Sequence, residues 1–206
     1  MQQPFQFKRN LFSGEIMTQK KFDPKKLEKL NNPQRLKDIP PNYIIEKLNI
    51  NNVDIITDIG AGTGVFSIAF CEHLNPSHVY ACDLSDVMIN WIKENVNVRY
   101  PKIIPLKTEE NYLPLENEVS DLAFMITLHH ELDNPLLILK EVNRILKPGG
   151  KFFIVDWKKE DMAEGPPEKI RVFPEEAVRQ AKEAGFINVL IFNDMAKHFL
   201  VTGEKF

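Results

Sequence analysis

From Tyr43 onward, short apolar runs alternate with longer amphipathic stretches, and this alternation limits the possible folds more than any other feature of the chain. Short runs bounded by turn residues indicate buried strands, whereas longer stretches with a 3.6-residue apolar period indicate helices. Strands that alternate with helices pair in parallel through right-handed crossovers. The sequence therefore predicts an α/β fold, a Rossmann-like, doubly wound sheet with helices on both faces.

The positions of the elements follow from the apolar pattern and from the glycines and prolines that interrupt it. Helices are predicted at 42–49, 65–73, 86–97, 134–146 and 174–184. Strands are predicted at 54–59, 78–82, 102–106, 121–126, 151–157, 187–192 and 198–203. The connection between the last two strands is too short for a parallel crossover, so the last strand of this seven-stranded sheet should be antiparallel.

The first part of the chain has a different character. Five prolines break residues 1–41 into short pieces, yet this stretch also contains more apolar residues than a free tail would carry. We predict an N-terminal lid or cap extension at 1–41, packed on the domain or over a ligand, and a single domain at 42–206.

Composition excludes several classes of protein. The formal charge of −3 and the pI near 6.0 provide no overall field to attract phosphate backbones, so nucleic acid is an unlikely partner. Cys71 and Cys82 have no repeated spacing, which argues against a disulfide framework or a zinc site and fits a reducing, cytoplasmic location. No apolar stretch is long enough to span a membrane, and the polar start lacks a signal-peptide core.

A glycine-rich turn follows the first predicted strand, in the run DIGAGTG that starts at Asp58. Glycine permits a sharp turn and the close approach of a ligand, and the helix start behind it presents unpaired N–H groups. The third glycine of the dinucleotide pattern would fall at Val65, so that pattern is not met. Asp58 would repel a pyrophosphate but could pair with a cationic amino acid group, as in S-adenosylmethionine. A plain strand-to-helix turn is the alternative.

Asp83 ends the second predicted strand, about 20 residues beyond the glycine-rich turn. An acidic side chain at this point can accept hydrogen bonds from both hydroxyls of a ribose. Capping of the next helix is the alternative role, but Ser85 is better placed as that cap. We therefore favour ribose binding for Asp83.

Taken together, the segments DIGAGTG, VYACDLS, NYLPLENEVSDLAFMITLHHELDNP and LKEVNRILKPGGKFFIVDW resemble class I S-adenosylmethionine-dependent methyltransferases. They are similar to the branch that contains ubiquinone/menaquinone C-methyltransferases, with the methyltransferase type 11 domain. The resemblance runs from about Tyr43 to the last residue of the sequence. It implies a seven-stranded sheet whose last strand is antiparallel, which agrees with the short final connection.

The resemblance also implies roles for individual residues. A loop around the methionine part would be formed by Asp58, Gly60, Ala61, Gly62 and Gly64. Asp83 would bind the ribose with Leu84 beside the adenine, Glu109 or its neighbour Glu110 would receive the adenine amino group, and Thr127 would lie where cofactor and acceptor meet.

His130 is our candidate catalytic residue, because histidine titrates near neutrality and could deprotonate the acceptor. A packing or hydrogen-bonding role is the structural alternative. A metal site built from His129, His130, Glu131 and Asp156 is conceivable, but the spacing matches no standard ligand pattern, so we predict no metal. Asp156, Trp157 and Lys158 are expected to line the acceptor pocket, although Trp157 could equally be a core residue.

These observations predict an enzyme that transfers a methyl group from S-adenosylmethionine to a small-molecule acceptor and leaves S-adenosylhomocysteine. Another nucleotide-cofactor Rossmann enzyme is one alternative, and a non-catalytic S-adenosylmethionine-binding regulatory protein is a second. The sequence identifies neither the acceptor nor the oligomeric state. If the extension is a lid, removal of residues 1–40 should weaken acceptor turnover more than cofactor binding.

Overall fold

The computed structural model describes residues 24–206 apart from residue 51, so most of the predicted lid lies outside the described residues. The helices are α1 Pro24–Leu30, α2 Gln34–Asp38, α3 Pro41–Leu48, α4 Val65–Leu74, α5 Asp86–Trp91, α6 Pro135–Ile145 and α7 Pro174–Glu183. The strands are β1 Ile55–Ile59, β2 His78–Asp83, β3 Ile103–Lys107, β4 Ser120–Ile126, β5 Leu146–Trp157, β6 Phe186–Phe192 and β7 His198–Lys205. Short 3₁₀ turns occupy His129–Glu131 and Glu168–Ile170.

The strands form one seven-stranded sheet in the order β3-β2-β1-β4-β5-β7-β6. The first five strands pair in parallel, whereas β7 lies between β5 and β6 and is antiparallel to both. The predicted α/β class, the doubly wound sheet and the antiparallel last strand are confirmed.

The order of the strands decides where a ligand can enter. From β1 the chain proceeds outward to β2 and β3, and then returns to place β4 on the other side of β1. The connections that follow β1 and β4 therefore diverge, and they leave a crevice at the carboxyl ends of these strands. Open α/β sheets bind their ligands at such a switch point.

Each face of the sheet has its own apolar core. One core joins α3 and α4 to the sheet and contains three contacting rings, Phe70, Phe124 and Phe153, with centroids 4.8–5.3 Å apart. The other core packs α6 and α7 on the opposite face. Ile39 is 1% exposed and belongs to the same core as Ile44, so packing is continuous across the predicted boundary between 41 and 42.

Two elements differ from the prediction in detail. The helix predicted at 86–97 is α-helical only to Trp91 and continues as a π-helix over Ile92–Asn97, which places Ile92 and Val96 under Gly64. β5 begins earlier than predicted, because Leu146 pairs with Ser120 before the register shifts. None of the described helices is long and apolar enough to cross a membrane.

Candidate functional site

A cavity of about 780 Å³ lies at the carboxyl ends of the strands, within the size range of small-molecule sites. Most of the predicted cofactor residues line it: Gly60, Gly62, Asp83, Leu84, Glu109, Glu110 and Thr127. The remaining predicted residues do not border the cavity: Asp58, Ala61, Gly64 and His130. Among the residues that the structure describes, the charged ones that line the cavity are acidic, namely Asp83, Glu109, Glu110 and Glu131.

The glycine-rich turn forms the floor of the cavity because it has no side chains there. Gly60 has a φ of +72°, and a Cβ at this position would lie 2.8 Å from Leu128 Cδ2. Ala61 and Gly64 shape the turn, since the Ala61 carbonyl accepts the Gly64 N–H at 2.9 Å. Gly60 and Ala61 also donate to the Cys82 carbonyl at 2.9 Å, which ties the turn to β2. Because Gly60 and Gly62 both line the cavity, a ligand can approach the backbone of the turn there.

Asp83 joins the glycine-rich turn to the start of α5. One carboxylate oxygen accepts the Gly62 N–H at 2.8 Å, and the other accepts the Ser85 N–H at 2.8 Å. Ser85 itself caps α5 by accepting the Met88 N–H, as predicted. The carboxylate is thus held at the wall of the cavity, at the end of β2.

Asp58 is buried beneath the turn and is only 2% exposed. Its carboxylate accepts a hydrogen bond of 2.5 Å from the Ser67 hydroxyl. Burial raises the pKa of Asp58 to about 7, although the hydrogen bond from Ser67 opposes this rise. Asp58 therefore supports the turn from beneath, through its hydrogen bond with Ser67, and does not border the cavity.

The strand-end residue Thr127 has a φ of +53°, which is uncommon for a β-branched residue. Its hydroxyl lies 3.2 Å from a guanidinium nitrogen of Arg35 on α2. Arg35 was not predicted as a site residue, because a lone arginine in a proline-broken segment carries no local signal. Arg35 and Leu30 bring the segment before residue 41 to the edge of the cavity.

His130 forms a dyad with Asp156 at the end of β5. Nδ1 of His130 lies 2.7 Å from a carboxylate oxygen of Asp156, and the His130 backbone N–H donates to the other at 3.0 Å. Burial alone would lower the pKa of His130, but the hydrogen bond and charge of Asp156 raise it above its usual value. The imidazole is 4% exposed, and Nε2 lies 3.7 Å from the carboxylate of Glu131, which lines the cavity.

The other residues predicted near the acceptor have structural contacts. His129 is fully buried and its Nε2 lies 2.7 Å from the side-chain oxygen of Gln180. Trp157 packs against Gly165 and His198, and the Lys158 ammonium donates to the Asn193 carbonyl. Within residues 24–206 other than 51, no three His, Cys, Asp or Glu side chains are grouped so as to hold a metal.

Comparison with known proteins agrees with this architecture. The family described as "Methyltransferase domain" matches residues 57–154. A solved structure of a SAM dependent methyltransferase from Aquifex aeolicus is 31% identical, with a TM-score of 0.82, over 90% of this chain and 100% of that one. The chain belongs to the S-adenosylmethionine-dependent methyltransferases. The family resemblance and the cofactor predicted from the sequence are therefore confirmed.

Two curated methyltransferases are similar over about half of this chain. A malonyl-[acyl-carrier protein] O-methyltransferase from Marinomonas sp. (strain MWYL1) is 32% identical over 107 residues, 52% of this chain and 39% of that protein. A demethylmenaquinone methyltransferase from Chlamydia muridarum is 31% identical over 106 residues, 50% of this chain and 44% of that protein. The matched segments span less than half of either methyltransferase.

Proposed function

We propose that this protein transfers the methyl group of S-adenosylmethionine to a small-molecule acceptor and releases S-adenosylhomocysteine. The observation that carries the proposal is the cavity at the switch point, with a bare glycine backbone as its floor and the Asp83 carboxylate at its wall. When bound, the cofactor supplies an electrophilic methyl group on its sulfonium. The protein supplies position and, for some acceptors, a base.

The strand order suggests how the cofactor is oriented. Glu109 and Glu110 follow β3, whereas Thr127 follows β4, three strand spacings or about 14 Å away. We assign the adenine end to Leu84 and to the two glutamates, and the ribose to Asp83. The methionine end is assigned to the turn that contains Gly60, Ala61, Gly62 and Gly64, with Asp58 beneath it and Thr127 beside it.

A small acceptor is favoured by the shape and the charge of the cavity. The charged side chains that residues 24–206 other than 51 contribute to its lining are acidic, which would repel the phosphates of a nucleic acid. The names of the two curated methyltransferases give unlike acceptors, malonyl-[acyl-carrier protein] and demethylmenaquinone, so neither is transferred to this chain. The buried, free thiols of Cys71 and Cys82 support a reducing, cytoplasmic location.

We assign His130 as the general base and Asp156 as the residue that positions it. Asp156 accepts at Nδ1, which leaves Nε2 to take a proton from the acceptor. Because the imidazole is nearly covered, the acceptor would reach Nε2 past Glu131. Such a base contributes about 100-fold or more to a rate.

Cofactor binding tests the first part of the proposal. Calorimetric titration should show saturable binding of both S-adenosylmethionine and S-adenosylhomocysteine, with none of NAD. Asp83→Asn should weaken both by roughly tenfold or more, because the ribose hydroxyls lose a charged acceptor. Asp86→Asn is the matched control, since Asp86 is exposed and pairs with Lys107 outside the cavity lining. If Asp83→Asn bound both ligands with the affinity of the parent, Asp83 would not be a cofactor-binding residue.

Turnover on a panel of small acceptors tests His130. With any acceptor that the parent methylates, His130→Gln should lower kcat by about 100-fold while cofactor affinity is retained. Asp156→Asn should lower the pKa of His130, and proton NMR of the imidazole at several pH values measures this pKa. A His130→Gln variant with parental kcat would exclude the base. Cofactor binding without turnover of any acceptor would favour a regulatory binding protein.

A further inference from the structure

Glu131 places an exposed carboxylate on the wall of the cavity, beside the proposed base. It ends the 3₁₀ turn that follows β4, and its backbone N–H donates to the Leu128 carbonyl at 2.8 Å. Its side chain is 63% exposed, and its carboxylate lies 3.7 Å from Nε2 of His130. No lysine or arginine among the described residues forms an ion pair with it. The carboxylate is therefore available to a ligand in the cavity.

The surroundings of Glu131 in the cavity are apolar. The proposed cofactor orientation accounts for the other acidic residues of the described lining, which are Asp83, Glu109 and Glu110. Leu128 and Leu132 flank Glu131 in the same connection, and both line the cavity. No lysine or arginine among the described residues borders it. An acceptor that sits beside the base therefore meets hydrocarbon and one negative charge.

The imidazole of His130 lies between two carboxylates, that of Asp156 at Nδ1 and that of Glu131 near Nε2. Burial lowers the pKa of His130 and Arg171 opposes its charge, but the two carboxylates outweigh both and raise this pKa. They favour the imidazolium, which cannot accept a proton. A cation bound at Glu131 would offset one of the two negative charges and lower the pKa of His130 again. A cationic acceptor would thus help to prepare its own base.

We propose that the acceptor is an amine with an apolar body, which binds as its ammonium form, and that Glu131 is the residue that selects it. This inference rests on the proposed function. An ammonium group has several N–H donors, so one can bond to the Glu131 carboxylate while another points to Nε2 of His130, and hydrogen bonds between charged groups are the stronger kind. The apolar body packs against Leu128 and Leu132. A carboxylate or phosphate at the same place would be repelled by Glu131.

The transfer balances with His130 as the proton acceptor. An ammonium has no lone pair, so it first gives one proton to Nε2 of the neutral imidazole and becomes an amine. The nitrogen lone pair then forms the new C–N bond to the methyl group, and the electron pair of the breaking C–S bond stays on sulfur. The products are a methylated ammonium, which keeps its charge beside Glu131, and S-adenosylhomocysteine. The imidazolium returns its proton to solvent.

Pairs of probes that differ only in charge isolate this contact. Hexylamine and 2-phenylethylamine are compared by calorimetry with 1-hexanol and 2-phenylethanol, on protein saturated with S-adenosylhomocysteine. The parent should bind each amine about tenfold or more tightly than its alcohol. Glu131→Gln should remove that preference and leave the affinities for the alcohols and for S-adenosylhomocysteine unchanged. Glu116→Gln is the matched control, because Glu116 is exposed and lies outside the cavity lining.

Proton NMR of His130 gives a second measurement that needs no turnover. In the complex with S-adenosylhomocysteine, hexylamine should lower the pKa of His130, whereas 1-hexanol should not, and Glu131→Gln should abolish the difference.

Several outcomes would contradict the proposal. Alcohols bound as tightly as their amines in both pairs, or methylated in preference to them, would overturn it. A preference for amines that survives in Glu131→Gln would do the same, and so would an equal loss for amines and alcohols, which would give Glu131 a structural role. If the parent does not bind S-adenosylhomocysteine, the proposed function itself fails. If it binds S-adenosylhomocysteine but shows no preference for amines, only this inference fails.

Discussion

His198 and Asp58 are buried ionisable side chains that respond to pH in opposite directions. Both nitrogens of His198 lack a partner among the described residues, and burial lowers its pKa to about 4. Burial raises the pKa of Asp58 to about 7. Each therefore favours its neutral form in the folded protein, since the charged form is the one that burial penalises.

The two pKa shifts make the free energy of unfolding change with pH in opposite directions. The unfolded pKa of histidine is near 6.5, so the contribution of His198 is present above that pH and is lost as the pH falls towards 4. The unfolded pKa of aspartate is near 4, so the contribution of Asp58 is present below that pH and is lost as the pH rises through 7. The contribution of His198 amounts to about 3 kcal/mol and that of Asp58 to about 4 kcal/mol, and the two largely cancel between pH 4 and 7.

Substitution of either residue alone should reveal the pH dependence of stability that this cancellation masks. We expect the free energy of unfolding of His198→Phe to increase relative to that of the parent as the pH is lowered from 6.5 to 4.5, because a buried group that must stay neutral has been removed. Asp58→Asn should show the reverse trend, a relative gain as the pH is raised. Urea unfolding at several pH values measures both. Parallel curves for the parent and both variants would contradict the assignment.

The loop that follows β5 is organised by one arginine. Arg171 is 4% exposed, and its guanidinium donates to four backbone carbonyls, those of Lys158, Glu160, Glu164 and Pro166. The Lys159 ammonium adds bonds to the carbonyls of Glu168 and Arg171. The side chain thus replaces the regular pairing that a loop lacks, because buried carbonyls need donors.

Removal of this donor set should loosen residues 158–173. We expect Arg171→Met to lower the free energy of unfolding by about 3 kcal/mol, since several carbonyls would lose their donors. Arg179→Met, an exposed arginine of α7 that is 61% accessible, should change it by less than about 0.5 kcal/mol. Urea unfolding and limited proteolysis within the loop are the measurements. Equal losses in the two variants would show that the loop is held by other contacts.

For the molecule as a whole, periodicity and short connections were sufficient to predict the sheet. The helix before Gly185 ends at Glu183, and Gly185 has the positive φ that favours glycine after a helix. The early start of β5 was not predicted, because Pro148, Gly149 and Gly150 have the local signature of a break. β5 begins as early as Leu146 because Leu146 pairs with Ser120 of β4.

The candidate site, like the sheet, has parts that the sequence predicts and parts that it does not. The glycine-rich turn and Asp83 were predictable, because parallel strands bring their carboxyl ends to one edge of the sheet. Arg35 and Thr127 are 92 positions apart, and His130 and Asp156 are 26 apart, so their meeting depends on tertiary packing. No local pattern signals such pairs. The segment predicted as a lid is also part of the core, because deletion of residues 1–40 would remove Ile39 from it. The same deletion would remove Arg35.

The place of β7 has a consequence for biosynthesis. This strand follows β6 in the sequence but lies between β5 and β6 in the sheet. Until residues 198–205 have left the ribosome, the edge of β5 that faces away from β4 has no neighbouring strand. During the same period, β6 has no strand with which to pair. Unpaired strand edges are prone to association with other chains. The nascent protein therefore passes through a vulnerable interval that ends when its seventh strand is inserted.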